Sequence, residues 1–153
     1  MLEKKRLCIL VPIYDDWQSL EHMIDEFYKH LHGAFQSIKV VAINDGSRHT
    51  PQNVSARKTE FEIVHLRRNL GHQKAIAIGI SHLAHEKNYD LVVVMDGDGE
   101  DKPEDIRLLA EAHSQFPENI IFAKRKKRKK GAPFIFLYWV YKFLFRIFTG
   151  KFI

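Results

Sequence analysis

The sequence predicts one α/β domain in which a mostly parallel β-sheet is flanked by helices. Short runs rich in Val, Ile and Leu alternate with longer segments whose apolar residues recur at helical spacing. Such alternation favours parallel strands joined by right-handed crossovers, with helices on both faces of the sheet. The chain has 153 residues, of which 45% are hydrophobic, and this is enough to bury a substantial core.

The first predicted elements are a strand at Leu7–Val11 and an amphipathic helix at Trp17–Leu31. The strand contains Cys8, the only cysteine, so no disulfide forms within the chain, as is usual in a reducing compartment. A second strand is predicted at Lys39–Ile43, and a second helix opens at Thr50-Pro51, because proline is favoured in the first turn.

The second half of the chain continues the alternation. Strand Phe61–Leu66 precedes helix His72–Glu86, and strand Leu91–Met95 precedes helix Pro103–Ser114. A fifth strand is predicted at Asn119–Ala123. The Val-rich fourth strand is continuously apolar, which is typical of a strand buried on both faces.

Residues that could bind a ligand or take part in catalysis follow these strands. In open parallel sheets, ligands bind outside the carboxyl ends of the strands. The candidates at those ends are Pro12, Tyr14, Asp16, Asp45, the run Asp96–Glu100, and Arg125. We therefore expect four strand ends to converge on one crevice.

The acidic run after the fourth strand predicts a cation site. Residues two apart in an extended chain point the same way, so Asp96 and Asp98 can direct their oxygens at one point. Hard oxygen ligands suit Mg²⁺ or Mn²⁺. Alternating acids and glycines are also ordinary turn chemistry, and the motif alone leaves both interpretations open. An EF-hand is excluded, because Asp101 stands where that loop needs glycine and Arg107 where it needs glutamate.

Other site classes lack their signatures. Neither the glycine-rich dinucleotide fingerprint nor a P-loop occurs in the sequence. A divalent ion held by the acids would reverse the local charge, which favours a metal-bound diphosphate with Tyr14 near a base and Asp45 near the base or ribose. His82 and His85 are predicted to be surface histidines, because no further ligands complete a zinc set.

Positive charge is concentrated near the C-terminus. The seven consecutive basic residues Lys124–Lys130 exceed the net charge of +5, so the remainder is slightly acidic. The aromatic segment Pro133–Phe148 follows, too short to span a bilayer, with Lys142 and Arg146 on one helical face. It suits an amphipathic helix in the interface of an anionic membrane; packing on a further part of the protein is the alternative. A nucleic-acid-binding role is disfavoured, because the aromatic residues do not interleave with the basic run.

Four ordered motifs resemble those of glycosyltransferase family 2. They are Val11-Pro12-Ile13-Tyr14, Asn44-Asp45-Gly46-Ser47, Arg68-Asn69-Leu70-Gly71-His72-Gln73-Lys74-Ala75, and Asp96-Gly97-Asp98-Gly99-Glu100-Asp101-Lys102-Pro103-Glu104. The resemblance covers about Arg6 to Gly150 and is nearest to the dolichyl-phosphate mannose synthase-like and bactoprenol glucosyltransferase branch. It implies a GT-A, Rossmann-like fold.

The resemblance also implies roles for individual residues. Asp96 and Asp98 match the catalytic Asp-x-Asp that binds metal and sugar nucleotide. Glu100 stands at the position of a further metal contact, where the polyprenyl-phosphate branch commonly has Gln. Lys74 is either a phosphate contact or a solvated residue at a helix start. The nucleotide-sugar-binding set is then Pro12, Tyr14, Asp16, Asp45, Lys74, Asp96, Gly97, Asp98 and Arg125.

The implied activity is inverting, metal-assisted transfer of a sugar from a UDP- or GDP-linked donor to a polyprenyl phosphate. We expect a donor-binding domain at 1–125 and a basic and amphipathic segment at 126–153, located in the cytoplasm at the inner face of the membrane. Family members continue beyond this length, so we expect a truncated copy, a fragment, or a reduced form completed by another subunit. The partner in the last case is a homo-oligomer or a second membrane subunit. The alternative is an inactive, membrane-associated relative.

Overall fold

The computed structural model describes residues 2–51, 59–86 and 88–124. The chain divides into two compact units, Met1–Ile121 and Phe122–Ile153. The predicted interface helix at 133–148 and most of the predicted helix after Pro51 lie outside the described residues. Across the described ranges, no helix is long and apolar enough to cross a membrane.

The first unit is a parallel sheet with helices on both faces, as predicted. After a short 3₁₀ turn at Leu2–Lys4, four strands and three helices are described. They are β1 (Arg6–Ile13), α1 (Trp17–Leu31), β2 (Ser37–Asn44), β3 (Glu60–His65), α2 (His72–Glu86), β4 (Leu91–Val94) and α3 (Asp105–Gln115). The strand order is β3-β2-β1-β4, and all three pairings are parallel.

Successive residues of β1 supply the two faces of the sheet. Leu7 and Ile9 belong to the core that packs against α1 and α3, whereas Cys8 and Leu10 pack against α2 on the other face. Gly79 lets α2 approach the second face, because an added Cβ would lie 2.6 Å from a methyl of Leu10.

The prediction that the fourth strand is buried on both faces is wrong. Val92 and Val94 are exposed, at 46% and 39%, while Leu91 is buried. Val92 and Val94 pair with Cys8 and Leu10 of β1 and share their face. Helix α2 packs on β1 and β2, so it does not bury Val92 and Val94 on the neighbouring strand β4.

The predicted fifth strand is also wrong. Residues 120–124 adopt no regular secondary structure, and Ile120 is 82% exposed. Within the described part of the chain the sheet has four strands. A short, mostly apolar segment forms a strand only where a neighbouring strand pairs with it. The sequence of the segment itself does not show whether such a neighbour exists.

Candidate nucleotide-binding cleft

A cleft of about 480 Å³ lies at the carboxyl ends of β1 and β4. This is the position at which open parallel sheets bind ligands. Its lining residues are Pro12, Ile13, Tyr14, Asp16, His72, Asp96, Gly97 and Asp98. Six of the residues predicted from the sequence are therefore brought together here, namely Pro12, Tyr14, Asp16, Asp96, Gly97 and Asp98.

The β1 side of the cleft presents an aromatic ring and a helix cap. Tyr14 is 45% exposed, which leaves its ring accessible to a ligand. Asp16 caps α1, where its Oδ1 accepts a hydrogen bond from the Ser19 backbone N–H at 3.3 Å. Since the cap fixes the start of α1, it also fixes the path of the chain that carries Tyr14.

The β4 side presents two carboxylates. Asp96 and Asp98 follow β4 directly, and Asp98 Oδ1 accepts a hydrogen bond from the Glu100 backbone N–H at 2.9 Å. Between them, Gly97 permits close approach to β1, because an added Cβ would lie 2.8 Å from the Pro12 carbonyl oxygen. Glu100 itself is exposed and is not among the residues that line the cleft.

His72 is a site residue that the sequence analysis missed. It is the first residue of α2, and its Nε2 lies 3.1 Å from Asp96 Oδ1. Both side chains are about half exposed, at 53% and 45%. One histidine among nine gives a weak signal. Its place immediately after Gly71, where the segment leaving β3 enters a helix, could have identified it.

Asp45 lies behind the cleft rather than in its lining. It is 4% exposed, and its two carboxylate oxygens accept the backbone N–H groups of Leu70 at 2.7 Å and Gly71 at 2.9 Å. The neighbouring Gly46 has φ +72°, and an added Cβ would lie 2.5 Å from the Asn69 backbone nitrogen. Asp45 therefore holds the loop before α2, and its role toward a nucleoside stays a prediction.

Two further residues, Lys74 and Arg125, were predicted to contact phosphate. Lys74 is exposed in the first turn of α2 and is not part of the lining. Arg125 lies outside the described residues. Their predicted contacts with phosphate stay predictions.

A second cluster of possible metal ligands lies on β3 and α2. The ligand atoms of Glu62, His82 and Glu86 all lie within 4.8 Å of one another. However, Lys39 Nζ lies 2.7 Å from Glu62 and 3.7 Å from Glu86, so an ammonium group already pairs with both carboxylates. We assign this cluster to an internal ion-pair network.

Comparison with known families agrees with this fold. The profile described as Glycosyl transferase family 2 matches residues 8–152. The chain therefore belongs to glycosyltransferase family 2, which confirms the resemblance inferred from the four motifs.

Solved structures of similar fold include those of TarS from S. aureus. The TarS crystal structure is 18% identical with a TM-score of 0.50, and the match covers 71% of this chain and 20% of TarS. A structure of TarS 1–349 is 17% identical with a TM-score of 0.52 and coverages of 82% and 40%. TarS 1–349 in complex with UDP is 15% identical, with a TM-score of 0.49 and coverages of 71% and 33%.

This chain thus spans between 20% and 40% of the length of those structures. At such low identity the likeness concerns the fold, and it confirms the predicted GT-A type α/β architecture.

Proposed function

We propose that the chain binds a nucleoside-diphosphate sugar in the cleft and contributes the donor side of a glycosyl transfer. The observation that carries this proposal is that Tyr14, Asp96 and Asp98 line one cleft at the carboxyl ends of adjacent strands. An aromatic ring suits stacking with a nucleobase, and paired carboxylates suit the cation that accompanies a diphosphate. Membership of glycosyltransferase family 2 supports the same substrate class.

The donor atoms fit Mg²⁺ or Mn²⁺. Asp96 and Asp98 offer hard carboxylate oxygens on one side of the cleft, and Glu100 is near in sequence as a further oxygen donor. When bound, such an ion would stabilise the charge that develops on the departing diphosphate. The assignment of Asp96 and Asp98 as metal ligands and catalytic residues is part of this proposal.

The protein itself would orient the donor. Pro12 and Tyr14 would hold the base, Asp16 and Asp45 would fix the loops near the ribose, and Lys74 and Arg125 would contact phosphate. The acceptor oxygen would form a bond to the anomeric carbon while the bond to the diphosphate breaks on the opposite face, which inverts the configuration. A polyprenyl phosphate acceptor is already anionic, so it needs no strong general base.

We further propose that residues 124–148 bring this cleft to an anionic membrane. The basic run and the aromatic segment that follows support this proposal, because both features favour the interface of an anionic bilayer. Flotation with vesicles of neutral or anionic lipid tests it. Replacing Lys126–Lys130 with glutamine should abolish the preference for anionic lipid, whereas replacing Lys4 and Lys5 should not. An unchanged preference in the first variant would reject the proposal.

Donor binding is tested by calorimetry. UDP-glucose, GDP-mannose, UDP and GDP are titrated into the full chain with and without Mn²⁺, and the titrations are repeated with Asp98→Ala. We expect metal-dependent binding of one base that weakens about 100-fold in the variant, or ~2.8 kcal/mol. The matched control is Asp25→Ala, an exposed acid on α1. Failure of the wild type to bind any of these ligands would favour an inactive relative of the family.

A further inference from the structure

An unusual backbone conformation lies at the rim of the cleft. Among the described residues, Asp15 is the only non-glycine residue with a positive φ, at 62°. It lies between Tyr14 and Asp16, both of which line the cleft. Few residues other than glycine adopt this conformation, although aspartate and asparagine adopt it more readily than most, and surrounding contacts stabilise it.

The contacts that hold Asp15 come from the loop after β2. The Asp15 backbone N–H donates to Ser47 Oγ at 2.9 Å. Its Oδ1 accepts the Arg48 backbone N–H at 2.8 Å, and its Oδ2 accepts Arg48 Nε at 2.7 Å. The Arg48 guanidinium also lowers the pKa of Asp15, so this carboxylate is ionised at neutral pH.

A further bond ties the same two loops together. Trp17 Nε1 donates to the His49 carbonyl oxygen at 2.7 Å, and Trp17 is the first residue of α1. The segment from Asp15 to Trp17, which directly follows Tyr14, is therefore attached to the loop after β2 at both of its ends.

We propose that Asp15, Ser47 and Arg48 form a loop clasp that preorganises Tyr14 for binding the nucleotide base. In this role Arg48 is a positioning residue: it acts through Asp15, and it is not among the residues that line the cleft. The inference rests on the proposed function, because a base must bind at Tyr14 for its orientation to matter. A clasp formed in advance lowers the ordering cost of binding.

The competing explanation for any effect of Arg48 is direct contact with a phosphate, because its side chain is 75% exposed. A double-mutant cycle separates the two. Binding of UDP and GDP is measured by calorimetry with Mn²⁺ for the full chain, for Arg48→Ala, for Asp15→Asn and for the double variant. Asparagine tolerates a positive φ, so Asp15→Asn mainly removes the charged acceptor.

If the clasp acts as a unit, each single variant weakens binding about tenfold, and the double variant is no weaker than either. Additive losses, or a loss in Arg48→Ala without a loss in Asp15→Asn, would overturn the clasp and indicate direct contact. The matched control is Arg6→Ala, which breaks another Arg–Asp pair, with Asp90 at the opposite end of the sheet. It should leave nucleotide affinity unchanged.

Tryptophan fluorescence gives a readout that does not depend on the nucleotide. The chain has two tryptophans, so Trp139→Phe leaves Trp17 as the reporter. In this background Arg48→Ala should increase quenching by acrylamide at an unchanged melting temperature, and Arg6→Ala should not. A wild type that binds no nucleotide rejects the proposed function. A wild type and an Arg48→Ala variant that bind equally well reject only the clasp.

Discussion

The two ends of the parallel sheet are built differently. At the carboxyl end, the segments that leave neighbouring strands are bonded to one another. Asp15 joins the β1 exit to the β2 exit through Arg48, and Asp45 joins the β2 exit to the β3 exit at Leu70 and Gly71. At the amino end, Asp90 before β4 pairs with Arg6 at the start of β1.

The contacts at the carboxyl end continue around the cleft. His72, reached from the β3 exit, lies 3.1 Å from Asp96 after β4, and Gly97 approaches the Pro12 carbonyl oxygen of β1. The four strand exits are thus linked in a closed cycle. We infer that the carboxyl end is ordered for binding, whereas the amino end needs only to align the strands.

Two glycines with nearly the same backbone angle offer the strongest test of this contrast. Gly46 lies at the carboxyl end with φ +72°, and Gly33 lies before β2 at the amino end with φ +74°. At Gly46 an added Cβ would lie 2.5 Å from a backbone nitrogen, whereas at Gly33 nothing lies within 4 Å. Gly46→Ala should therefore cost roughly 3–4 kcal/mol of unfolding free energy, and Gly33→Ala only ~1 kcal/mol.

Urea denaturation followed by circular dichroism measures both values. Equal losses of unfolding free energy in the two variants would show that the close contact at Gly46 adds nothing to the cost of placing alanine at a positive φ.

Two aspartates give the next largest difference. Asp45 is buried and accepts hydrogen bonds from two backbone N–H groups. In Asp45→Asn, one of these N–H groups would face the side-chain N–H₂, which is a donor and cannot accept its hydrogen bond. We expect a loss of roughly 1–3 kcal/mol, because a buried donor loses its partner. Asp90→Asn at the exposed amino-end pair should lose much less. The same denaturation experiment compares them, and a greater loss in Asp90→Asn would reverse the contrast.

Much of the fold could be predicted from the sequence, because the signals for its helices are local. Helices α1 and α2 begin and end at the predicted residues, since an Asp16 cap and a Gly71 turn precede them. The burial of the fourth strand could not be predicted. A strand rich in valine has the same sequence whether helices pack on one face of the sheet or on both. Which faces are covered depends on distant parts of the chain.

The candidate site shows the same limit. Asp96 and Asp98 were found because their chemistry is visible in their residue types. Asp15, Arg48 and His72 were missed because their contribution depends on contacts between loops that are distant in sequence. Strand order determines which exits are neighbours, and no single motif encodes that order.

A third test concerns Lys39, which lies toward the amino end of β2. Its ammonium contacts Glu60, Glu62 and Glu86, and its side chain is only 14% exposed. Burial acts to lower the pKa of Lys39, but hydrogen bonds with Glu62 and Tyr89 outweigh it and raise the pKa. Lys39→Met should cost roughly 1–2 kcal/mol, because three carboxylates lose their counter-ion.

The effect of Lys39→Met should depend on pH in a defined direction. A hydrogen bond from Lys39 lowers the pKa of Glu62 below its ordinary value of 4.5. A lowered pKa stabilises the fold fully above the ordinary value, and this contribution is lost as pH falls through the lowered pKa. The difference from wild type should therefore shrink below pH 4.5. Lys102→Met, whose pair with Glu104 is exposed on both sides, is the control and should change little at any pH.

The smallest effect is expected for Arg6→Ala, which removes the amino-end pair beside the buried Cys8. Burial raises the pKa of the Cys8 thiol to about 12, so alkylation by iodoacetamide at pH 8 requires the sheet to open. We expect Cys8 to be labelled almost as slowly in Arg6→Ala as in the wild type, and to be labelled much faster in Gly46→Ala. Rapid labelling of Arg6→Ala at an unchanged global stability would mean that the amino-end pair controls local opening of β1.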